Sequence, residues 1–196
     1  MRVLSYNLEK NKAVGELLAL IDEHDLDLLC LQEVDAAALP EELGGMHLVD
    51  RTLANRLGLA IFHRSERYTP VRTEAFALKK SLHDRIAKPA HERLAELGPG
   101  LPHLMVGDYN YPLFRRGLSR SVGKTGHDLT FSDGRTYTRY KFLRGHFDFA
   151  TSVGMVISSV ETLPQRGSDH LPILVTATYG TPAVIDEASP TATAIQ

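Results

Sequence analysis

Apolar runs along this chain are interrupted by polar residues at a few recurring places, and those places organise the reading. Arg2 to Leu8 is a short β-like run, with Val3 and Leu4 apolar, that ends at Asn7. Residues 12–24 follow a helical period, with Val14, Leu17, Leu18 and Ile21 on one stripe. Leu26 to Val34 is a continuous apolar run with acids at its start and Glu33 at its end, the pattern of a strand buried on both faces. Gly58 to His63 is a further β run. Ser81 to Leu97 is helical in pattern, with Ile86, Ala90, Leu94 and Leu97 aligned and Pro89 predicting a kink.

Pro102 to Gly107 reads as a strand that delivers Asp108-Tyr109-Asn110 to its end. Leu129 to Thr138 is expected to form a hairpin around Asp133-Gly134, a strong short-range turn signal. Three β runs follow, over His146–Ser152, Met155–Thr162 and Leu171–Tyr179. From Gly180 onward the chain is rich in Ala, Thr and Pro and reads as a frayed tail. Many strands with few helices, antiparallel towards the C-terminal end, predict an α+β sandwich. The expected organisation is a domain over residues 1–180 and a flexible tail over 181–196.

Asn7, Glu33, Asp108, Asn110, Asp148, Asp169 and His170 each lie at or beside the end of a β run. A carboxylate buried there needs a cation or a hydrogen-bond donor. Carboxylate and amide oxygens without paired cysteines or histidines suit a hard cation, Mg²⁺ or Mn²⁺, rather than zinc. Taken singly, an Asp or Asn at a strand end is an ordinary turn or cap residue. The accumulation of such sites in one short chain argues for a common cleft.

Composition changes the picture little. Hydrophobic residues make up 43% and charged ones 23% of the 196 residues, an ordinary globular balance. The lone cysteine, Cys30, has no intrachain partner and reads as a small buried hydrophobe. The longest apolar runs fall well short of the ~20 residues that span a bilayer, and the N-terminus has no signal-peptide pattern, so a cytoplasmic protein is expected. Charge is more telling by position. Between Tyr111 and Gly145 eight basic residues stand against two acids, +6 in all, which leaves −8 on the remainder of a chain of net charge −2. Nine of the fourteen aromatic residues fall between Tyr109 and Phe149. Basic and aromatic residues interleaved in this way fit a phosphate-bearing ligand, and they fit equally a solvated basic loop over an aromatic core. Ser168-Asp169-His170 is no hydrolase triad, because adjacent strand residues point to opposite faces.

Ser5-Tyr6-Asn7, Leu31-Gln32-Glu33-Val34, Gly107-Asp108-Tyr109-Asn110, His146-Phe147-Asp148-Phe149 and Ser168-Asp169-His170-Leu171-Pro172 occur in one order along the chain. Their order and spacing resemble the endonuclease/exonuclease/phosphatase family, which includes DNase-I-like nucleases and apurinic endonucleases. The resemblance covers residues 1–176. It implies a four-layer α/β sandwich of two mostly antiparallel sheets flanked by helices. It also implies a hydrolase that uses Mg²⁺, with Mn²⁺ as a substitute, to attack a phosphate ester with water. By that resemblance Glu33 is the main metal ligand, with Asn7 beside it and Asp169 as a metal or water partner. Asp108 and Asn110 align the water and grip phosphate oxygens; His170 is catalytic and Asp148 orients it. Tyr109, Tyr111, Arg139, Lys141 and Arg144 are candidates for substrate contact, and the two tyrosines serve as well as packing residues.

The chain departs from the family pattern between residues 62 and 104, where a strand bearing another histidine is expected. His83 lies in helical surroundings, and His91 and His103 have no better claim. Either the domain is a short version or a segment near residues 93–96 is missing from the sequence. The exposed sheet edges that a lost strand would create favour the second. A phosphodiester, nucleic acid included, is the expected substrate. A phosphomonoesterase, a lipid phosphodiesterase and a non-catalytic binding module on the same fold are the alternatives. Oligomeric state is not legible.

Overall fold

The computed structural model describes residues 1–53, 57–75, 92–93, 96, 100–110, 115–139, 145–164 and 167–180. The first sheet contains seven strands: β1 (Arg2–Asn7), β2 (Leu28–Val34), β3 (Glu42–Leu43), β4 (Met46–Arg51), β5 (Gly58–His63), β9 (Met155–Thr162) and β10 (Ile173–Tyr179). Their order is β3-β4-β5-β2-β1-β10-β9. Only the central β1–β2 pair is parallel, crossing over through a 3₁₀ turn, Lys12–Glu16, and helix α1, Leu17–His24. The second sheet has the order β6-β8-β7, from β6 (His103–Asp108), β7 (Asp128–Phe131) and β8 (Asp148–Val153), all antiparallel. Helix α2 spans Arg115–Gly123.

Strand alternation sorts the apolar residues into layers. Leu4, Tyr6, Leu29, Leu31 and Leu174 face Leu17, Leu20 and Ile21 of α1. Val3, Ile173 and Val175 face the second sheet, where Ala150, Leu104 and Val106 meet them. Beyond it, Phe149 and Tyr109 pack with Leu118 and Val122 of α2. Helix, sheet, sheet and helix make the four-layer α/β sandwich that the sequence predicts. No helix among the described residues is long and apolar enough to cross a membrane.

Two expectations need correction. The helix over residues 12–24 begins as a 3₁₀ turn, and its buried stripe is Ala13, Leu17, Leu20 and Ile21. Val14 and Leu18 are 40% and 52% exposed, because the tighter first turn shifts the apolar face relative to a continuous α-helix. The hairpin around Asp133-Gly134 does not form. The chain turns there, but Asp133 accepts the Thr162 N–H (2.8 Å) and the Gly134 N–H donates to the Thr162 hydroxyl (2.9 Å). Residues 136–138 then run towards His170 rather than back along β7. Strand β4, whose Met46, Leu48 and Val49 do not alternate cleanly, and the polar helix α2 have no counterpart among the expected elements. The Gly44-Gly45 turn, with φ of +58° and +73°, joins β3 to β4 and is a legible hairpin signal.

Between β5 and β6 the described residues contain no strand. Residues 76–91, with His83 and His91, and Leu94 and Ala95 lie outside the described residues. The choice between a short domain and a missing segment therefore falls there. His103 opens β6, at the end away from Asp108.

Gly58, where β5 begins, is sterically required. A Cβ at this position would stand 2.6 Å from the Thr52 carbonyl oxygen and 3.0 Å from the Ala36 side chain. Overpacking of this kind costs about 1–3 kcal/mol. Gly58→Ala is expected to lower the unfolding free energy measured in urea by that amount; an unchanged midpoint would mean that the β4–β5 connection yields freely.

Candidate active site

The alternation that builds the layer between the sheets ends, on several strands, in a polar residue. Val3 and Ser5 lead to Asn7, Leu104 and Val106 lead to Asp108, and Ala150 is preceded by Asp148. Residues two apart on a strand share a face, so these three polar side chains meet at one end of the sandwich. Asp108 and Asp148 are directly opposite in the β6–β8 register. His170 precedes β10 and enters between them. Its Nδ1 lies 2.8 Å from Asp148 Oδ2 and its Nε2 lies 3.7 Å from Asp108 Oδ2.

Glu33 reaches the site by a different route. Continued alternation after Leu29 and Leu31 would turn it towards α1. The β2–β5 register slips between Gln32 and Val34, and Glu33 adopts a left-handed φ of 52°. A bulge of this kind re-aims one side chain: Val34 stays in the α1-side core and Glu33 lines the cleft. The cleft, about 350 Å³, is lined also by Glu9, Lys10, Asp108, Asn110, Asp169 and His170, with Tyr137, Arg139 and Phe147 beside them.

Hydrogen bonds fix each part. Asp108 accepts from Asn7 Nδ2 (3.2 Å), Asn110 Nδ2 (3.1 Å) and the Asn110 N–H (2.7 Å). The loop carrying Asp169 and His170 is held along its length. The Gly167 N–H donates to Glu16, the Ser168 hydroxyl to the Asn7 carbonyl (2.6 Å) and the Asp169 N–H to Glu9 (3.0 Å). The Tyr137 and Phe147 rings close on His170 at 5.1 and 5.9 Å between centroids.

Electrostatics follow from this crowding. Burial alone would lower the His170 pKa; the hydrogen bond and charge of Asp148, with the charges of Asp108 and Asp169, outweigh it and push the pKa up to about 9. Burial, then the charge of Asp148, holds the Asp108 carboxyl above the ordinary carboxylate range, against the opposing pull of His170 and the Asn110 and Asn7 bonds. The fold thus favours the imidazolium. Its contribution to stability is complete below the ordinary value of 6.5 and is lost as pH rises through about 9. In metal-free buffer the stability difference between wild type and His170→Gln is expected to narrow from about pH 7 to about pH 10. Urea unfolding across that range measures it, and a constant difference would show that the ring is not held charged.

Among the described residues one group of donors lies close enough together to share a cation. Asp108, Asp148 and His170 bring ligand atoms within 4.8 Å of one another, a possible metal-binding triad. There, however, the imidazolium already offsets one of the two carboxylate charges, and a protonated ring nitrogen is no ligand. Glu33, Asp169 and Glu9 form a second set of acids along the same cleft. Among the described residues no hydrogen bond or ion pair reaches the Glu33 carboxylate. The Arg139 guanidinium lies 3.4 Å from Asp169 and 3.9 Å from Glu9, a positive charge drawn to excess acid. A set of carboxylate oxygens beside an amide fits a hard divalent cation.

Of the residues singled out from the sequence, Glu33, Asp108, Asn110, Asp169, His170 and Arg139 line the cleft. Asn7 and Asp148 are buried directly behind Asp108 and His170. Tyr109 is corrected from substrate contact to core. It is 5% exposed, its ring stacks on Phe149 at 3.8 Å, and its hydroxyl bonds to Thr151 and the Met105 carbonyl. Tyr111, Lys141 and Arg144 lie outside the described residues. Glu9, Lys10, Tyr137 and Phe147 were not foreseen. Glu9 and Lys10 carried a signal as a charged pair just after the β1 motif, and Phe147 lies inside the His146–Phe149 motif.

No curated protein matches the chain by sequence. Several solved structures match it in fold. A mannosyl-6-phosphatase from Bacteroides thetaiotaomicron superposes with a TM-score of 0.69 at 18% identity, over 91% of this chain and 100% of that one. A D. rerio TDP2 humanized by 14 mutations gives 0.71 at 12% identity, over 91% and 98%. An AP endonuclease from Archaeoglobus fulgidus gives 0.61 at 16% identity, over 90% and 98%. The sequence profile of the Endonuclease/Exonuclease/phosphatase family matches residues 4–170, from β1 to the histidine in the cleft. With that match laid over a cleft of opposed carboxylates and a charged histidine, the chain belongs to the endonuclease/exonuclease/phosphatase family and is a phosphoester hydrolase.

Proposed function

We propose that the chain hydrolyses a phosphodiester with water activated at a divalent cation, Mg²⁺ with Mn²⁺ as a substitute. The observation that carries this reading is the Asp108–His170–Asp148 constellation facing Glu33 and Asp169 across one cleft. Residues 1–180 would form the catalytic domain, with 181–196 as a tail outside it.

In this reading Glu33 and Asp169 hold the cation, with Asn7 beside them. When bound, it would neutralise charge on the non-bridging oxygens and acidify water. The side chains then divide the remaining work. Asp108, whose carboxyl is more basic than usual, accepts the proton from the attacking water. The His170 imidazolium donates through Nε2 to a non-bridging oxygen, where negative charge accumulates. Asp148 fixes the ring's orientation through Nδ1. Asn110 offers an amide to the phosphate, and Asn7 steadies Asp108. Lys10 and Arg139, at the cleft, supply positive charge for a polyanionic substrate, and the Tyr137 and Phe147 rings, inclined at 41° to each other, line it with aromatic surface. That combination supports nucleic acid over a small neutral-headed ester.

The test is hydrolysis of bis-p-nitrophenyl phosphate with Mg²⁺, with Mn²⁺ and with EDTA. Turnover with either metal and none with EDTA is expected. Equal turnover in EDTA would overturn the metal dependence. Absence of turnover on this diester and on single-stranded and duplex DNA and RNA would overturn the diester assignment. Hydrolysis of p-nitrophenyl phosphate alone would move the protein to the phosphomonoesterases.

A further inference from the structure

We propose that Thr136 is a positioning residue, which holds Asp148 and His170 in contact without touching substrate or the reacting atoms. Resting on the reading of His170 as the oxyanion donor, it assigns a role to a residue outside every motif singled out in the sequence. Strand β7 stops opposite Phe149 in the β8 register, so the N–H groups of Phe147 and Asp148 have no strand partner on that side. The Thr136 hydroxyl oxygen accepts both, at 3.0 and 3.1 Å. The Thr136 carbonyl accepts the N–H of Leu171 at 2.7 Å, immediately after His170, and the Thr136 N–H donates to the Gly145 carbonyl at 3.0 Å. The residue is 0% exposed.

One side chain and its own carbonyl thereby tie together the two backbone segments whose side chains form the 2.8 Å Asp148–His170 bond. The rest of the short segment works in the same direction. Tyr137 forms an isolated antiparallel bridge with His170. The Thr138 N–H and hydroxyl both donate to the Asp169 carbonyl, at 2.9 and 3.1 Å. Valine has nearly the shape of threonine and no acceptor, so Thr136→Val would leave two buried N–H groups unpaired. Relieving that shifts the backbone that carries Asp148.

A misplacement of roughly 1 Å in such a group costs about 100-fold in rate. Thr136→Val is expected to lower kcat on bis-p-nitrophenyl phosphate by about 10- to 100-fold with KM nearly unchanged. Thr136→Ser, which restores the acceptor, should recover most of that loss. In a His170→Ala background Thr136→Val should cost little more, because residues that act through one another are not additive. Mn²⁺ affinity by titration should be the same in all variants. Equal losses in both backgrounds, no rescue by serine, or a fall in Mn²⁺ affinity would overturn the proposal in favour of general damage.

The proton on His170 Nδ1, followed by ¹H–¹⁵N correlation spectroscopy, decides the matter even if no substrate turns over. It should be protected and shifted downfield in wild type and Thr136→Ser, and exchange-broadened in Thr136→Val. If the valine variant does not fold, Thr136→Ala takes its place. A protected, downfield proton that persists in the variant refutes Thr136, whereas its loss in the variant of a protein without turnover upholds Thr136 and refutes the hydrolytic reading instead.

Discussion

Replacing His170 with alanine is expected to lower kcat on bis-p-nitrophenyl phosphate by about 10³-fold or more at neutral pH, equivalent to roughly 4 kcal/mol of transition-state stabilisation. The ring stands between two carboxylates, 2.8 Å from Asp148 and 3.7 Å from Asp108, and is held charged up to about pH 9. Its Nε2–H is therefore a fixed donor in a largely buried site, with no reorganisation needed as charge develops on the phosphate. KM should change little, because the interaction strengthens only as charge accumulates. Alanine also leaves Asp148, 1% exposed, without its partner, which is destabilising in its own right. His170→Asn separates the two effects, since its amide can still donate to Asp148. It should recover much of the unfolding temperature and little of the rate. If asparagine restores turnover, the ring is a structural partner of Asp148 and no more.

The layers of the sandwich were legible because its central strands obey simple alternation. Val3, Ser5 and Asn7, or Leu104, Val106 and Asp108, can be followed along one face until the apolar run ends. Such strand ends group Asn7 and Asp108 with Glu33, Asn110, Asp148, Asp169 and His170. What periodicity could not give was Glu33's direction, which depends on a left-handed residue inside a strand. Nor could it give the turn at Asp133-Gly134, whose hydrogen bonds go to Thr162 on β9 rather than back to β7. Tyr109 illustrates the opposite limit. An aromatic residue between two polar site residues invites a stacking role, yet strand alternation alone sends it to the α2 side, against Phe149. Thr136 carried no signal, because a threonine in a loop gains meaning only from the three segments that converge on it.

Backbone strain clusters where the chemistry is. Of the six non-glycine residues with positive φ among the described residues, Glu9, Lys10, Asn11, Glu33 and Asn110 lie at or beside the cleft, and Asp25 lies elsewhere. Such conformations cost of order 1–3 kcal/mol each and persist only where the surroundings impose them. Here the surroundings can be named. The Asn11 N–H donates to the Glu33 carbonyl at 2.9 Å, and the Asn11 side chain accepts the Asp35 N–H at 3.2 Å. The loop after β1 and the bulge in β2 therefore hold each other, and between them they present Glu9, Lys10 and Glu33 to the cleft. Glu9 in turn anchors the Asp169 N–H and pairs with Lys12, so the acids around the candidate cation site are braced from two strands.

Glu33→Gln is the substitution that tests that arrangement most severely. Glutamine keeps the size and reach of the side chain, and the strained backbone at φ 52° is no worse for it. What disappears is one negative charge, at a carboxylate on which no donor of the described residues converges. The folded protein should be as stable as wild type in EDTA, or slightly more so, because Glu33 stands with Glu9, Asp108 and Asp169 along the same cleft. Turnover at millimolar Mg²⁺ should fall by at least about 10³-fold, since both cation affinity and water activation depend on that charge. Titration with Mn²⁺, followed by the paramagnetic signal of the free ion, should show affinity weakened by at least about 100-fold, more than loss of an outer-shell partner would bring. Asp148→Asn makes the contrast, for Asp148 belongs to the other group of donors. If the cation sits at Glu33, Asp148→Asn loses rate and keeps Mn²⁺ affinity. If Asp148→Asn instead abolishes Mn²⁺ binding and Glu33→Gln leaves it intact, the cation belongs to the Asp108–Asp148–His170 triad, and His170 must then act as a neutral ligand rather than as a charged donor.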